Sequence, residues 1–220
     1  MMGLYKRSYR ILLVLGVLLL SGQPSVYAVQ PPDSTVHSTP AHHGQLMSPP
    51  HEFTIWAGFA FDSYSFWGKT PDTRIQSIGF GYNRKLLPIK QAVLEYHLRL
   101  DLYSSYSYPS FNTTKSKKRS SLSGLGISPL GFQLNFLSTK TVQPFLSTST
   151  GLIFLDNPFP DFRGKKINFT LSAGAGLEIQ LSPSASLSFG IKYHHLSNGE
   201  RGEVNPGIDS NIYYTSITIF

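Results

Sequence analysis

The run His194-His195-Leu196-Ser197-Asn198-Gly199 is followed, twelve residues beyond the serine, by Asp209 within Gly207-Ile208-Asp209-Ser210. A hydroxyl, an imidazole and a carboxylate are the three groups that nucleophilic acyl chemistry uses: a nucleophile, its base, and a group that orients the base. In an extended strand alternate residues share a face, so His195 and Ser197 stand side by side within hydrogen-bonding reach while His194 points the other way. His195 is therefore the candidate base. Residues 198–209 would turn the chain back into an antiparallel neighbour and return Asp209 to the imidazole. The chemistry expected of such a hairpin is ester hydrolysis through an acyl-serine. No metal or organic cofactor is called for.

The elements that position these residues read as strands. From residue 53 onward the dominant period is two, in stretches of about ten residues separated by turn signals. Between Val93 and Leu102, Glu95, His97, Arg99 and Asp101 alternate with Leu94, Tyr96, Leu98, Leu100 and Leu102. The runs Phe169 to Leu181 and Leu187 to Tyr193 alternate in the same way, each long enough to cross a bilayer as a tilted strand. Eight strands are predicted, over 53–61, 75–83, 92–103, 121–137, 142–155, 168–181, 185–197 and 210–220. The connections 84–91, 138–141 and 182–184 are short, whereas 62–74, 104–120, 156–167 and 198–209 are long, the alternation of periplasmic turns and external loops in outer-membrane barrels. The fold class expected is all-β, an eight-stranded antiparallel transmembrane barrel. A barrel this narrow is filled by side chains, so Glu95, His97, Arg99, Asp101 and Glu178 should form a paired, hydrogen-bonded interior. One conflict stands in the last strand: alternation from Asp209 turns Ile217 and Ile219 outward and Phe220 inward, unless a bulge near Tyr213-Tyr214 reverses the parity.

Ahead of the barrel, Lys6, Arg7 and Arg10, the apolar run Ile11 to Leu20 and the small-residue site Val26-Tyr27-Ala28 read as a secretory signal peptide cleaved after Ala28. Residues 29–52, rich in Pro, His, Ser and Thr, read as a disordered periplasmic leader. Its His37, His42, His43 and His51 lack the spaced ligand pairs of a zinc site, so no metal is expected there. The chain has no cysteine, so attachment to a membrane must come from the fold. Its net charge is +7, and cleavage would remove three of the basic residues. Much of the remainder falls in the long connections: Lys69, Arg74, Lys115, Lys117, Lys118, Arg119, Arg163, Lys165, Lys166 and Arg201. Of these, Lys115, Lys117, Lys118, Arg119, Lys165, Lys166 and Arg201 are candidates to attract substrate phosphates.

On His195-x-Ser197-Asn198 and the later Asn205-x-Gly207-Ile208-acid, the chain resembles the outer-membrane lipid A 3-O-deacylases of the PagL type. That resemblance implies His195 as general base, Ser197 as nucleophile, Asn198 with Gly199 or nearby backbone N–H groups at the oxyanion site, and release of a 3-hydroxyacyl chain from lipid A. The family's acid is commonly Glu where this chain has Asp209, and its glycine tends to come one residue later than Gly199. The partners expected are lipid A or lipopolysaccharide as substrate and the outer-membrane assembly machinery, with a homodimer left open and no nucleic acid. The competing readings are a non-enzymatic barrel with a structural or adhesive role, in which 195–209 is only a polar rim, and another barrel lipase or acyltransferase with a similar triad.

Overall fold

A computed structural model describes residues 51–110 and 118–220. The expected signal peptide, all but the last two residues of the expected leader, Lys115 and Lys117 lie outside the described residues. Eight strands, β1 (His51–Ala60), β2 (Arg74–Ile89), β3 (Ala92–Pro109), β4 (Arg119–Phe136), β5 (Val142–Phe159), β6 (Lys165–Ser182), β7 (Ala185–Ser197) and β8 (Ile208–Ile219), pair antiparallel with their neighbours. Pairing of β1 with β8, from Phe53↔Ile219 to Phe59↔Tyr213, closes the ring. Closure leaves no unpaired sheet edge, the condition for a sheet in lipid. Phe53, Ile55, Phe80, Leu146, Leu177, Phe189 and Ile217 are exposed on its outer wall. Among the described residues no helix is long and apolar enough to cross a membrane.

The expected interior set faces inward, and it occupies the end of the barrel near the short turns. Asn135 donates to Glu95 and to Glu178, Ser186 donates to Glu178 at 2.6 Å, and Lys85 lies 3.0 Å from buried Glu52. Arg99 donates to Asn83, and the Lys192 ammonium sits 4.2 Å above the Trp56 ring. Toward the opposite end the filling becomes apolar. Ile75, Tyr106, Tyr108, Leu122, Ile153, Leu155, Phe159, Leu196, Ile208 and Ile212 close the interior as a packed plug.

Several boundaries differ from the sequence reading. His51 and Glu52, placed in the leader by composition, begin β1, where His51 meets the Tyr82 hydroxyl and Glu52 meets Lys85. Residues 104–109, expected in a loop, continue β3. A register shift between Asp101 and Ser104 moves the inward set from odd to even positions, so Tyr106 and Tyr108 enter the plug. The expected loop 156–167 shrinks to a link at 160–164, because β5 runs on past an irregularity to Phe159, which is buried, and Asp156 accepts from Ser123. Lys165 and Lys166 are thereby strand residues and Arg119 opens β4. In β8 no bulge reverses the parity: its register with β1 and β7 is unbroken, Ile217 and Ile219 face out, and the half-buried Phe220 lies beneath the Lys85 ammonium.

Candidate active site

The β7–β8 register runs from Ala185↔Ile219 to Leu196↔Ile208 and sets His195 opposite Asp209 at the end of the hairpin. Even-numbered β7 residues turn inward, so Leu196 is fully buried in the plug and braces the hairpin from behind. Odd-numbered residues Tyr193, His195 and Ser197 face outward. The imidazole Nδ1 lies 2.6 Å from Asp209 Oδ1. An ionised carboxylate only accepts, so the proton of this bond belongs to Nδ1, and Nε2 is the basic nitrogen left to the outside.

Ser197 shares a cleft of about 350 Å³ with His195, Trp67, Lys69, Gly199, Glu200, Asn205 and Gly207. Among the described residues Ser197 makes no hydrogen bond to the ring, and bonds of this kind commonly tighten only around substrate. The Trp67 ring stands edge-on to the imidazole, 5.5 Å between centroids at 88°.

Asp209 is fully buried although it belongs to the outward face. Its cover comes from residues 61–73, between β1 and β2. Phe66, Trp67 and Gly68 donate three consecutive backbone N–H groups to Oδ2, at 3.0, 2.6 and 2.6 Å. The Tyr193 hydroxyl donates to Oδ1 at 2.8 Å, beside the histidine. Tyr64 bridges to the Asp209 backbone and donates its hydroxyl to Asn211. Burial first, and then the charge of Asp209, raise the Tyr64 phenol above its ordinary range, so it remains a neutral donor. Neither Tyr193 nor this segment was singled out from sequence. The tyrosine had an available signal, since it shares the face of His195 two positions earlier.

Asn198 does not reach the cleft. It is fully buried, its Nδ2 donates to Val204 O at 2.8 Å, its Oδ1 accepts from the Arg201 and Gly202 N–H groups, and its own N–H donates to Asn205. Its amide shapes the 198–207 loop, which corrects the expectation that this side chain meets an oxyanion. Gly199 does line the cleft, in the left-handed region at φ +64°, and Glu200 follows at +59° with its carboxylate held by Asn205.

The candidate phosphate-attracting residues divide. Arg119 is engaged by Asp72 at 2.8 Å and by Ser107, and Arg201 donates to Asn198 O and Ile167 O while lying over the Phe169 ring. Both tie loops to strands. Lys118, Lys165 and Lys166 are exposed at the same end of the barrel. Lys69, counted in the basic excess, lies in the cleft itself. Among the described residues no group of three or more His, Asp or Glu is arranged to hold a metal ion.

A family model described as lipid A 3-O-deacylase (PagL) matches residues 76–218. The match takes in His195, Ser197 and Asp209 and begins beyond the 61–73 segment. No curated protein matches the chain. Among solved structures, it is similar to the crystal structure of the outer membrane enzyme PagL, with a TM-score of 0.56 and 15% identity over 74% of this chain and 97% of that one. It is also similar to Neisserial surface protein A (TM-score 0.46, 15% identity, 78% and 97% covered) and to the outer membrane protein OprG from Pseudomonas aeruginosa (0.45, 12%, 79% and 97%).

Proposed function

The chain belongs to the lipid A 3-O-deacylase (PagL) family and is a bacterial outer-membrane β-barrel, and from that membership we propose that it is a serine esterase hydrolysing the 3-O-linked 3-hydroxyacyl ester of lipid A in the outer leaflet. The observation that carries this reading is the 2.6 Å contact between His195 Nδ1 and Asp209 Oδ1 on the outward face, with Ser197 beside it in one cleft. An oriented imidazole and a buried carboxylate on a wall rich in exposed apolar side chains are costly to a merely structural barrel. They suit a reaction on a lipid that lies against that wall.

In the proposed reaction, Ser197 Oγ attacks the acyl carbonyl carbon while its proton passes to His195 Nε2, and Asp209 stabilises the resulting imidazolium. The tetrahedral oxyanion is met by the backbone N–H of Gly199, a contribution of about 3–4 kcal/mol for a well-placed donor. The imidazolium returns its proton to the departing sugar oxygen as the carbon–oxygen bond breaks. Water then attacks the acyl-serine with His195 again as base, releasing the 3-hydroxy acid and restoring Ser197. With the short turns and both ends of the barrel periplasmic, the cleft lies at the outer-leaflet end. There the exposed Lys118, Lys165 and Lys166 stand among lipid phosphates.

The test is mass spectrometry of lipid A from an outer membrane carrying the wild-type chain, beside Ser197→Ala. The expected result is loss of one 3-hydroxyacyl mass with the wild type only. Unchanged lipid A despite correct insertion, or equal loss in both, would overturn the reading.

A further inference from the structure

We propose that residues 61–73 and the Tyr193 hydroxyl form the positioning device of the Asp209 carboxylate, so that the connection between β1 and β2 is a working part of the site. The proposal rests on the esterase reading of that site. A carboxylate held by one histidine can swing about its terminal bond. Here each oxygen is fixed separately: Oδ2 by three consecutive backbone N–H groups and Oδ1 by Tyr193 alongside His195. Consecutive N–H groups make a concave anion site, and backbone donors need no side-chain ordering to do so.

The segment is itself braced. The Lys69 N–H donates to Pro206 O and the Thr70 N–H to Gly207 O, which ties it to the loop leading into β8. Buried Ser63 binds it internally, donating to Thr70 O at 2.6 Å and accepting from the Thr73 N–H at 2.7 Å. Gly68 shows how closely it lies: a Cβ there would stand 2.8 Å from Ile208 N and 2.9 Å from Gly207 C. Those are backbone atoms that cannot yield like a side-chain tip, so one added methyl must lift the segment from Asp209. Tyr193 does not line the cleft, and its role runs through the carboxylate.

The experiment compares full-length wild type, Ser197→Ala, Gly68→Ala and Tyr193→Phe in outer-membrane vesicles, reading kcat and KM for acyl release from lipid A. The downfield NMR signal of the proton between His195 and Asp209 is followed for the same chains in detergent. Gly68→Ala and Tyr193→Phe should each lower kcat about 10- to 100-fold, the rate equivalent of one hydrogen bond to a charged group. KM should barely change, and the proton signal should move or broaden in both. A packing role would leave that signal in place. If Gly68→Ala fails to assemble, Tyr193→Phe decides alone. Full activity in Ser197→Ala defeats the esterase reading; an inert Ser197→Ala beside wild-type kcat, or an unmoved proton signal, in Tyr193→Phe defeats the positioning proposal.

Discussion

His194 and His195 are chain neighbours, yet the wall of the barrel runs between them. His194 points inward, where its Nδ1 meets the Ser172 hydroxyl at 3.0 Å and its Nε2 stands 3.5 Å from the Tyr106 hydroxyl. His195 points outward, has one nitrogen on Asp209, and turns the other toward an open cleft. Both nitrogens of His194 face fixed partners inside a closed wall; His195 keeps one for an incoming group. The difference teaches that on this hairpin strand parity, more than residue type, divides structure from chemistry.

The largest effect that would sharpen this contrast comes from Asp209→Asn. The amide oxygen can accept from the Phe66, Trp67 and Gly68 N–H groups, which leaves the amide N–H₂ facing His195 and imposes the wrong tautomer. We expect lipid A deacylation to fall by roughly 10³- to 10⁴-fold, the order seen when a triad aspartate becomes asparagine, with heat-modifiable mobility of the barrel on gels unchanged. Next comes His194→Phe, which leaves the Ser172 and Tyr106 hydroxyls without that partner inside the wall. It should cost about 1–3 kcal/mol in urea titrations of the inserted barrel while deacylation stays within a few fold. If the two variants exchanged phenotypes, the division of the hairpin into an inner structural and an outer chemical face would be broken.

A third substitution tests the loop end of the outer face. Asn198→Ala removes the bond to Val204 and the acceptor of the Arg201 and Gly202 N–H groups from a fully buried position. It should cost about 1–3 kcal/mol, measured by the same titration. Deacylation should fall about tenfold, because a loosened loop weakens the proposed Gly199 contact with the oxyanion by about 1.4 kcal/mol, part of the about 3–4 kcal/mol that a well-placed donor supplies. A loss of 10³-fold with unchanged stability would return the side chain to the oxyanion.

What could be read from the residues follows the same division. Period-two alternation exposed the two faces of β7 and with them the outward face that His195 and Ser197 share, because side-chain polarity reports the face directly. The antiparallel return of β8 placed Asp209 by counting along a hairpin. The cover over Asp209 was not legible, since its donors are the backbone N–H groups of Phe66, Trp67 and Gly68, which every residue but proline carries. Nor was the apolar plug: Tyr106 and Tyr108 lie among serines that read as loop, and a parity shift after Asp101 leaves no mark in composition. Asn198 misled for a related reason. A buried amide that shapes a loop and one that meets an oxyanion look alike until their partners are known.

The smallest effect concerns Glu200, among the described residues the one site where a non-glycine backbone is strained beside the cleft. At φ +59° it occupies a region that costs a residue with a Cβ about 1 kcal/mol or somewhat more, and a glycine nothing comparable. Its exposed hydrogen bond from Asn205 returns only part of that. Glu200→Gly should therefore stabilise the barrel by about 0.5–1 kcal/mol in urea titration, what remains of the relieved strain once the added unfolded-state freedom of a glycine is deducted. It also removes a carboxylate from a cleft proposed to receive an anionic lipid, so KM for lipid A should fall slightly with kcat within about twofold. Destabilisation instead would mean that the Asn205 bond, which also steadies the acceptor of the Asn198 N–H, outweighs the backbone strain. Loop order next to Ser197 would then depend on a side-chain contact, as it does at Asn198, and the loop would be held at both ends by amides, Asn198 buried behind it and Asn205 in the cleft itself.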